Sequence, residues 1–186
     1  MKLNKAFTLA EVLITLSIIG IVASVTLPNI TANTQKKALS VQLSKFTNVL
    51  SGAVGQYMTE VGIDKLDDAE FDDDKFIKNF KLISINNGLE GFSKDGKVKL
   101  SNGTLVSISP DFGKTYVLSD GTVFQYTTEE QPFGDVKPGY GITIRVDLNG
   151  AKGPNTIARD YWWIKIWNDG AIDGISFSPD KRFIKK

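Results

Sequence analysis

The chain has 186 residues, within range of one domain with a sizeable core, and its 22 basic and 21 acidic side chains leave a net charge of +1. With no histidine and no cysteine, His-dependent triads, His-ligated zinc, thiolate chemistry and disulfide support are all excluded, and an enzyme is not expected. The near-balanced charge gives no electrostatic case for nucleic-acid binding.

A short cationic segment, Met1–Lys5 with Lys2 and Lys5, precedes the apolar run Ala6–Leu27, twenty-two residues with a single formal charge at Glu11. As a helix this run is about 33 Å long, enough to cross a hydrocarbon core of about 30 Å. Positive charge resists translocation, so the N-terminus is expected to stay cytoplasmic and the rest of the chain to emerge on the far side. Glu11 is the informative residue. An acid at membrane depth costs about 2.5–3.5 kcal/mol by insertion scales, so it needs a partner. No other charged residue lies between Lys5 and Lys36. A cut after Ala6 would expose an α-amine on Phe7, and Glu11 of a neighbouring, staggered copy would neutralise it.

The register Lys5-Ala6-Phe7-Thr8-Leu9-Ala10-Glu11-Val12, followed by the apolar run, resembles the processing and assembly segment of type IV pilins and type II secretion pseudopilins. The resemblance covers residues 1 to about 60. It implies cleavage by a prepilin peptidase between Ala6 and Phe7, N-methylation of Phe7, and an assembly role for Glu11 and for Pro28, where the family often has a kinking proline. Ala6 departs from the glycine that is usual before the cut. The implied parts are a leader (1–6), a membrane and filament-core helix (7–28) and a globular domain (29–186). Loss of the leader removes two of the 22 basic residues and leaves 20 against 21 acidic ones.

Beyond Pro28, where a kink or a melted turn is expected, Leu39, Leu43, Phe46, Leu50, Ala53 and Tyr57 recur at helical spacing. They predict an amphipathic helix over 29–60 with one buried stripe. An acidic connector (61–88) follows, with a short helix predicted over Asp74–Leu82; its acids read as a solvated loop and a charged helix start. From Leu89 the period becomes that of strands. Asp95-Gly96, Asn102-Gly103, Asp120-Gly121 and Asp169-Gly170 predict two-residue hairpin turns. The strands predicted are 97–101, 104–109, 115–119, 122–127, 141–147, 161–168 and 171–177, with LSNGT and LSDGT read as two hairpins of one meander. The fold class is therefore α+β: a long N-terminal helix packed on an antiparallel sheet spanning 89–180.

Two stretches carry candidate chemistry. Asp147, Asn149, Asn155 and Asp160 supply oxygens that could gather around calcium, although Ala151 and Ala158 break the EF-hand pattern. The plainer reading has Asp147 and Asn149 bonding turn amides. The segment is also similar to a C-terminal pattern of pilin-like proteins, some of whose pseudopilin relatives need calcium in such a loop. In Tyr161–Trp167, alternation puts Trp162, Ile164 and Ile166 on one face and Tyr161, Trp163, Lys165 and Trp167 on the other. The second face is expected to be covered core, with a sugar- or peptide-binding platform as the alternative.

The expected function is a structural subunit of a type IV pilus or type II secretion pseudopilus. Made as a single-pass inner-membrane precursor amid lipid, it would be assembled with copies of itself or related subunits by an inner-membrane platform into a periplasmic or cell-surface filament. The alternative is an exported or anchored periplasmic binding protein with an ordinary signal, cut before Ser24.

Overall fold

A helix, α1 (Leu9–Val61), opens the computed structural model, which describes residues 8–66, 71–93, 95–108, 112–128, 141–153 and 155–175. The chain divides into two compact units, Met1–Ser40 and Val41–Lys186. In the first, the large apolar side chains from Leu9 to Ile30 are exposed on every face of the helix. Such a surface needs a solvent other than water. The hydroxyls are turned inward instead: Thr15, Ser17, Ser24, Thr26 and Thr31 each donate to a carbonyl three or four residues back. A side chain that bonds its own backbone presents no bare donor to lipid. No melted turn is found at Pro28. The helix runs through it unbroken, because proline's fixed φ is helical and only one backbone bond is lost.

In the second unit α1 buries Phe46, Leu50, Ala53, Val54 and Tyr57, with Leu43 half-buried. The expected stripe is present. The helix stops at Gly62 (φ +76), where the amides of Gly62 and Ile63 both donate to the Met58 carbonyl. That pattern satisfies the last turn as glycine C-caps do.

Helix α2 (Asp73–Ile77) starts at Asp72, whose side chain accepts from the Lys75 amide at 3.1 Å. It is shorter than predicted, and the chain then enters a strand the sequence did not predict, β1 (Leu82–Asn87). The remaining strands are β2 (Lys97–Lys99), β3 (Leu105–Ser107), β4 (Lys114–Leu118), β5 (Val123–Thr127), β6 (Gly141–Asp147), β7 (Tyr161–Trp167) and β8 (Ile172–Ile175). Six of them form one antiparallel sheet in the order β1-β4-β5-β6-β7-β8, while β2 and β3 pair with each other in a second, two-stranded sheet. The two LS-x-G-T hairpins therefore belong to different sheets rather than to one meander.

Their turns also differ from the two-residue type. Leu100, Leu118 and Trp167 each donate to the residue four positions on, enclosing three-residue loops that end in Gly103, Gly121 and Gly170 at positive φ. In each loop the Asn or Asp before the glycine accepts from the amide two residues later, at 3.0, 3.1 and 2.9 Å. The short polar side chain closes what a two-residue turn would close by backbone alone.

Both faces of the large sheet are covered over β4 to β7, whereas the edge strand β1 is largely exposed. Tyr116, Phe124 and Tyr126 stack on the helix side, where Phe124 meets Phe46 with ring centroids 5.6 Å apart. Cross-strand register adds Ile142, Ile144, Val146, Ile164 and Ile166 to that face. The opposite face packs Val123 and Tyr161 against Phe92, Val98, Leu100, Ile108 and Ile157, brought there by the β2–β3 hairpin and the chain before β7.

Candidate functional site

At the N-terminus, Ala6 and Phe7 lie outside the described residues. Glu11 sits in the first turn of α1, and Thr8 precedes it. Both the amide and the hydroxyl of Thr8 donate to Glu11 Oε2 at 2.8 Å, and the Glu11 amide donates back to Thr8 Oγ1 at 3.3 Å. This is a reciprocal capping box. Glu11 thus has a neutral partner in its own helix, and Thr8 is a residue the charge-based reading missed. Its signal was present as Thr-x-x-Glu at the head of an apolar run. Pro28 lies within α1.

The second site is the loop from β6 to β7, which carries Asp147, Asn149, Asn155 and Asp160; of these, Asn149 is bonded to Asp147 and Asp160. β6 delivers Asp147 at its end, a short 3-10 turn (Gly150–Lys152) follows, and Asp160 stands immediately before β7. Asp147 Oδ1 accepts the Asn149 amide at 3.1 Å. Asn149 Nδ2 reaches Asp160 Oδ2 and the Gly153 carbonyl, each at 3.2 Å. Asp160 Oδ1 accepts the Thr156 amide, which fixes the far side of the loop. Asn155 Nδ2 donates to the Phe92 carbonyl at 2.8 Å, while its Oδ1 lies against Gly153.

Asp147 and Asp160 are fully buried and Asn155 is 6% exposed. Burial, with the Asp160 carboxylate adding to it, pushes the Asp147 carboxyl up to about 8. Among the described residues, Asp147 Oδ2, Asn149 Oδ1 and Asn155 Oδ1 have no hydrogen-bond partner. A buried oxygen left without a donor is destabilising by about 1–3 kcal/mol. Three such atoms in one loop, all hard oxygens beside two carboxylates, are what a calcium ion takes as ligands. The donor set fits. Its charge is modest, because no group of three or more acidic, His or Cys side chains suited to a metal exists among the described residues. The plainer reading of the loop is half right: Asp147 does bond a turn amide, whereas Asn149 donates through its own amide.

The loop is held in place from three sides. Leu148 donates to the Asp160 carbonyl at 2.8 Å and accepts from Gln42 Nε2 at 2.5 Å. Lys99 of β2 donates to the Asn155 carbonyl and accepts from Ile157, both at 2.8 Å. Asn155 (φ +45) and Ala158 (φ +64) take left-handed backbone to make the turns.

The Trp-rich strand is core. Tyr161 is fully buried, and Trp162, Trp163 and Trp167 are half-buried. Trp162 Nε1 donates to the Arg159 carbonyl at 3.2 Å and Trp167 Nε1 to Asp173 at 3.0 Å. Beside Tyr161 and Trp163, Arg145 is 1% exposed, stacks over Phe112 at 4.1 Å and donates from Nε to Gln125 at 2.6 Å. Burial raises the Tyr161 hydroxyl, with the Arg145 guanidinium pulling the other way.

A family model described as the prokaryotic N-terminal methylation motif matches residues 1–27. No curated protein and no solved structure matches the chain.

Proposed function

We propose that the chain, whose residues 1–27 match the prokaryotic N-terminal methylation motif, is a type IV pilin-like prepilin that serves as a structural subunit of a type IV pilus or type II secretion pseudopilus. One observation carries this reading: the methylation motif runs directly into a helix whose apolar side chains, Leu9 to Ile30, are exposed on all sides. Lipid covers them first and like helices afterwards. Cleavage between Ala6 and Phe7 by a prepilin peptidase, with methylation of the new amine, places a cation four residues from Glu11. In a filament the Glu11 carboxylate then exchanges its Thr8 bonds for an ion pair with the Phe7 amine of a neighbour. Lipid and helix surfaces are similarly apolar, so Glu11 sets register: every wrong stagger leaves a buried charge unpaired. An inner-membrane assembly platform would supply the extraction step.

The test is the N-terminal residue of the mature protein. Methylated Phe7 is expected; Ser24 would instead identify an ordinary signal and a periplasmic binding protein. Glu11→Ala is expected to leave the precursor membrane-inserted and to remove it from sheared fibres, and fibre yield at the wild-type level would end the assembly role.

We further infer that the β6–β7 loop holds calcium through Asp147, Asn149, Asn155 and Asp160. The support is the three buried oxygens of that loop that have no hydrogen-bond partner among the described residues. The role is structural: a cation would neutralise two facing carboxylates and pin the loop between β6 and β7. Full-length protein in detergent is expected to melt higher in calcium than in chelator, and Asp147→Asn to lose most of that difference.

A further inference from the structure

The residue between two of these oxygen donors is held by the helix. Leu148 is fully buried, and its carbonyl shares one rigid peptide plane with the amide of Asn149. That plane is held at both edges. Asn149 N–H points to Asp147 Oδ1 at 3.1 Å, and the Leu148 carbonyl receives Gln42 Nε2 at 2.5 Å. The same Nε2 also donates to Thr122 Oγ1 at 3.0 Å, in the turn joining β4 to β5. One turn further along α1, Lys45 pairs with Asp120 of that turn at 2.8 Å.

Gln42 stands one turn before Phe46, where the helix's fully buried stripe begins. A cation drawing on Asp147 Oδ2 fixes that carboxylate, and through Oδ1 it fixes the peptide plane and the carbonyl that Gln42 holds. We propose that Gln42 couples cation occupancy of the β6–β7 loop to the amphipathic helix, so that a bound divalent cation tightens the helix against the sheet at residues 42–46. This coupling rests on the calcium reading above. It makes packing of α1 at residues 42–46 on the sheet responsive to extracytoplasmic calcium, and Gln42 is its positioning residue.

Hydrogen exchange on the full-length protein in detergent micelles, with calcium or with chelator, tests it. In wild type, calcium is expected to slow exchange both in the loop (147–160) and in helix residues 42–50. Gln42→Met, which keeps the side-chain length and removes the amide, is expected to keep the loop response and lose the helix response. Its calcium affinity should fall roughly five-fold, the size of one side-chain hydrogen bond. Lys45→Met removes the neighbouring ion pair and is expected to leave the coupling in place. A wild-type loop that responds to calcium while the helix does not would overturn the coupling and spare the calcium site. No response in the wild-type loop would remove both. Equal loss of the helix response in Lys45→Met and Gln42→Met would also overturn it, since the effect would then be general undocking.

Discussion

Thr8 and Glu11 satisfy one another across the first turn of α1, with both Thr8 donors on one carboxylate oxygen at 2.8 Å. Removing the hydroxyl strips the carboxylate of one donor and the Glu11 amide of its acceptor. Thr8→Ala is therefore expected to weaken the first turn by about 1 kcal/mol, seen as roughly five-fold faster amide exchange at Glu11 and Val12, the amides bonded to Thr8. Unchanged exchange there would mean that the capping box contributes nothing. A second prediction belongs to Asp147, whose buried carboxyl is raised to about 8 from an ordinary 3.8. A group raised on folding contributes stability below its unfolded value and loses it as pH rises through the folded one. In chelator, unfolding free energy is expected to fall between pH 4 and 8, by at most about 1.4 kcal/mol per pH unit. Asp147→Asn should flatten that slope under denaturant titration.

At the scale of elements, the β6–β7 loop carries a correctable strain. Ala158 has φ +64, a conformation costing a non-glycine residue about 1–2 kcal/mol. Glycine removes that strain but makes the unfolded chain more flexible, so Ala158→Gly is expected to stabilise by about 0.5–1 kcal/mol net in chemical denaturation. A destabilised variant would show that the Ala158 methyl makes a packing contact worth more than the strain. The backbone at 158 is one that glycine takes without strain. Strands β2 to β8 were legible in the sequence, because Asn-Gly and Asp-Gly punctuate them at short range. β1 was not. Its partner in the sheet among the described residues, β4, lies some thirty residues away, and Leu82-Ile83-Ser84-Ile85 follows a helix start that reads as continuing. The second buried face was equally hidden. Thr143, Arg145 and Asp147 alternate with Ile142, Ile144 and Val146 as a water-facing row would, yet β6 is buried along its whole length. Arg145 in that row stacks over Phe92 and Phe112 and bonds Gln125, partners twenty or more residues away that no short-range pattern announces.

For the molecule as a whole, stability and assembly reside in different stretches of chain. Core residues from Phe46 to Ile166 lie within Val41–Lys186, whereas no large apolar side chain from Leu9 to Ile30 is buried in the chain itself. A core to which Leu9–Ile30 contribute no buried side chain does not need them to fold. Deletion of Met1–Pro28 is therefore expected to give a detergent-free, folded domain whose melting midpoint lies within a few degrees of the full-length protein's in micelles. The same deletion removes Phe7, Glu11 and the exposed apolar surface together, so the domain should not enter fibres at any concentration. A truncated domain that failed to fold would show that the apolar helix contributes to the core. A truncated domain found in fibres would move the assembly contacts onto the globular surface and leave Glu11 without its role in register.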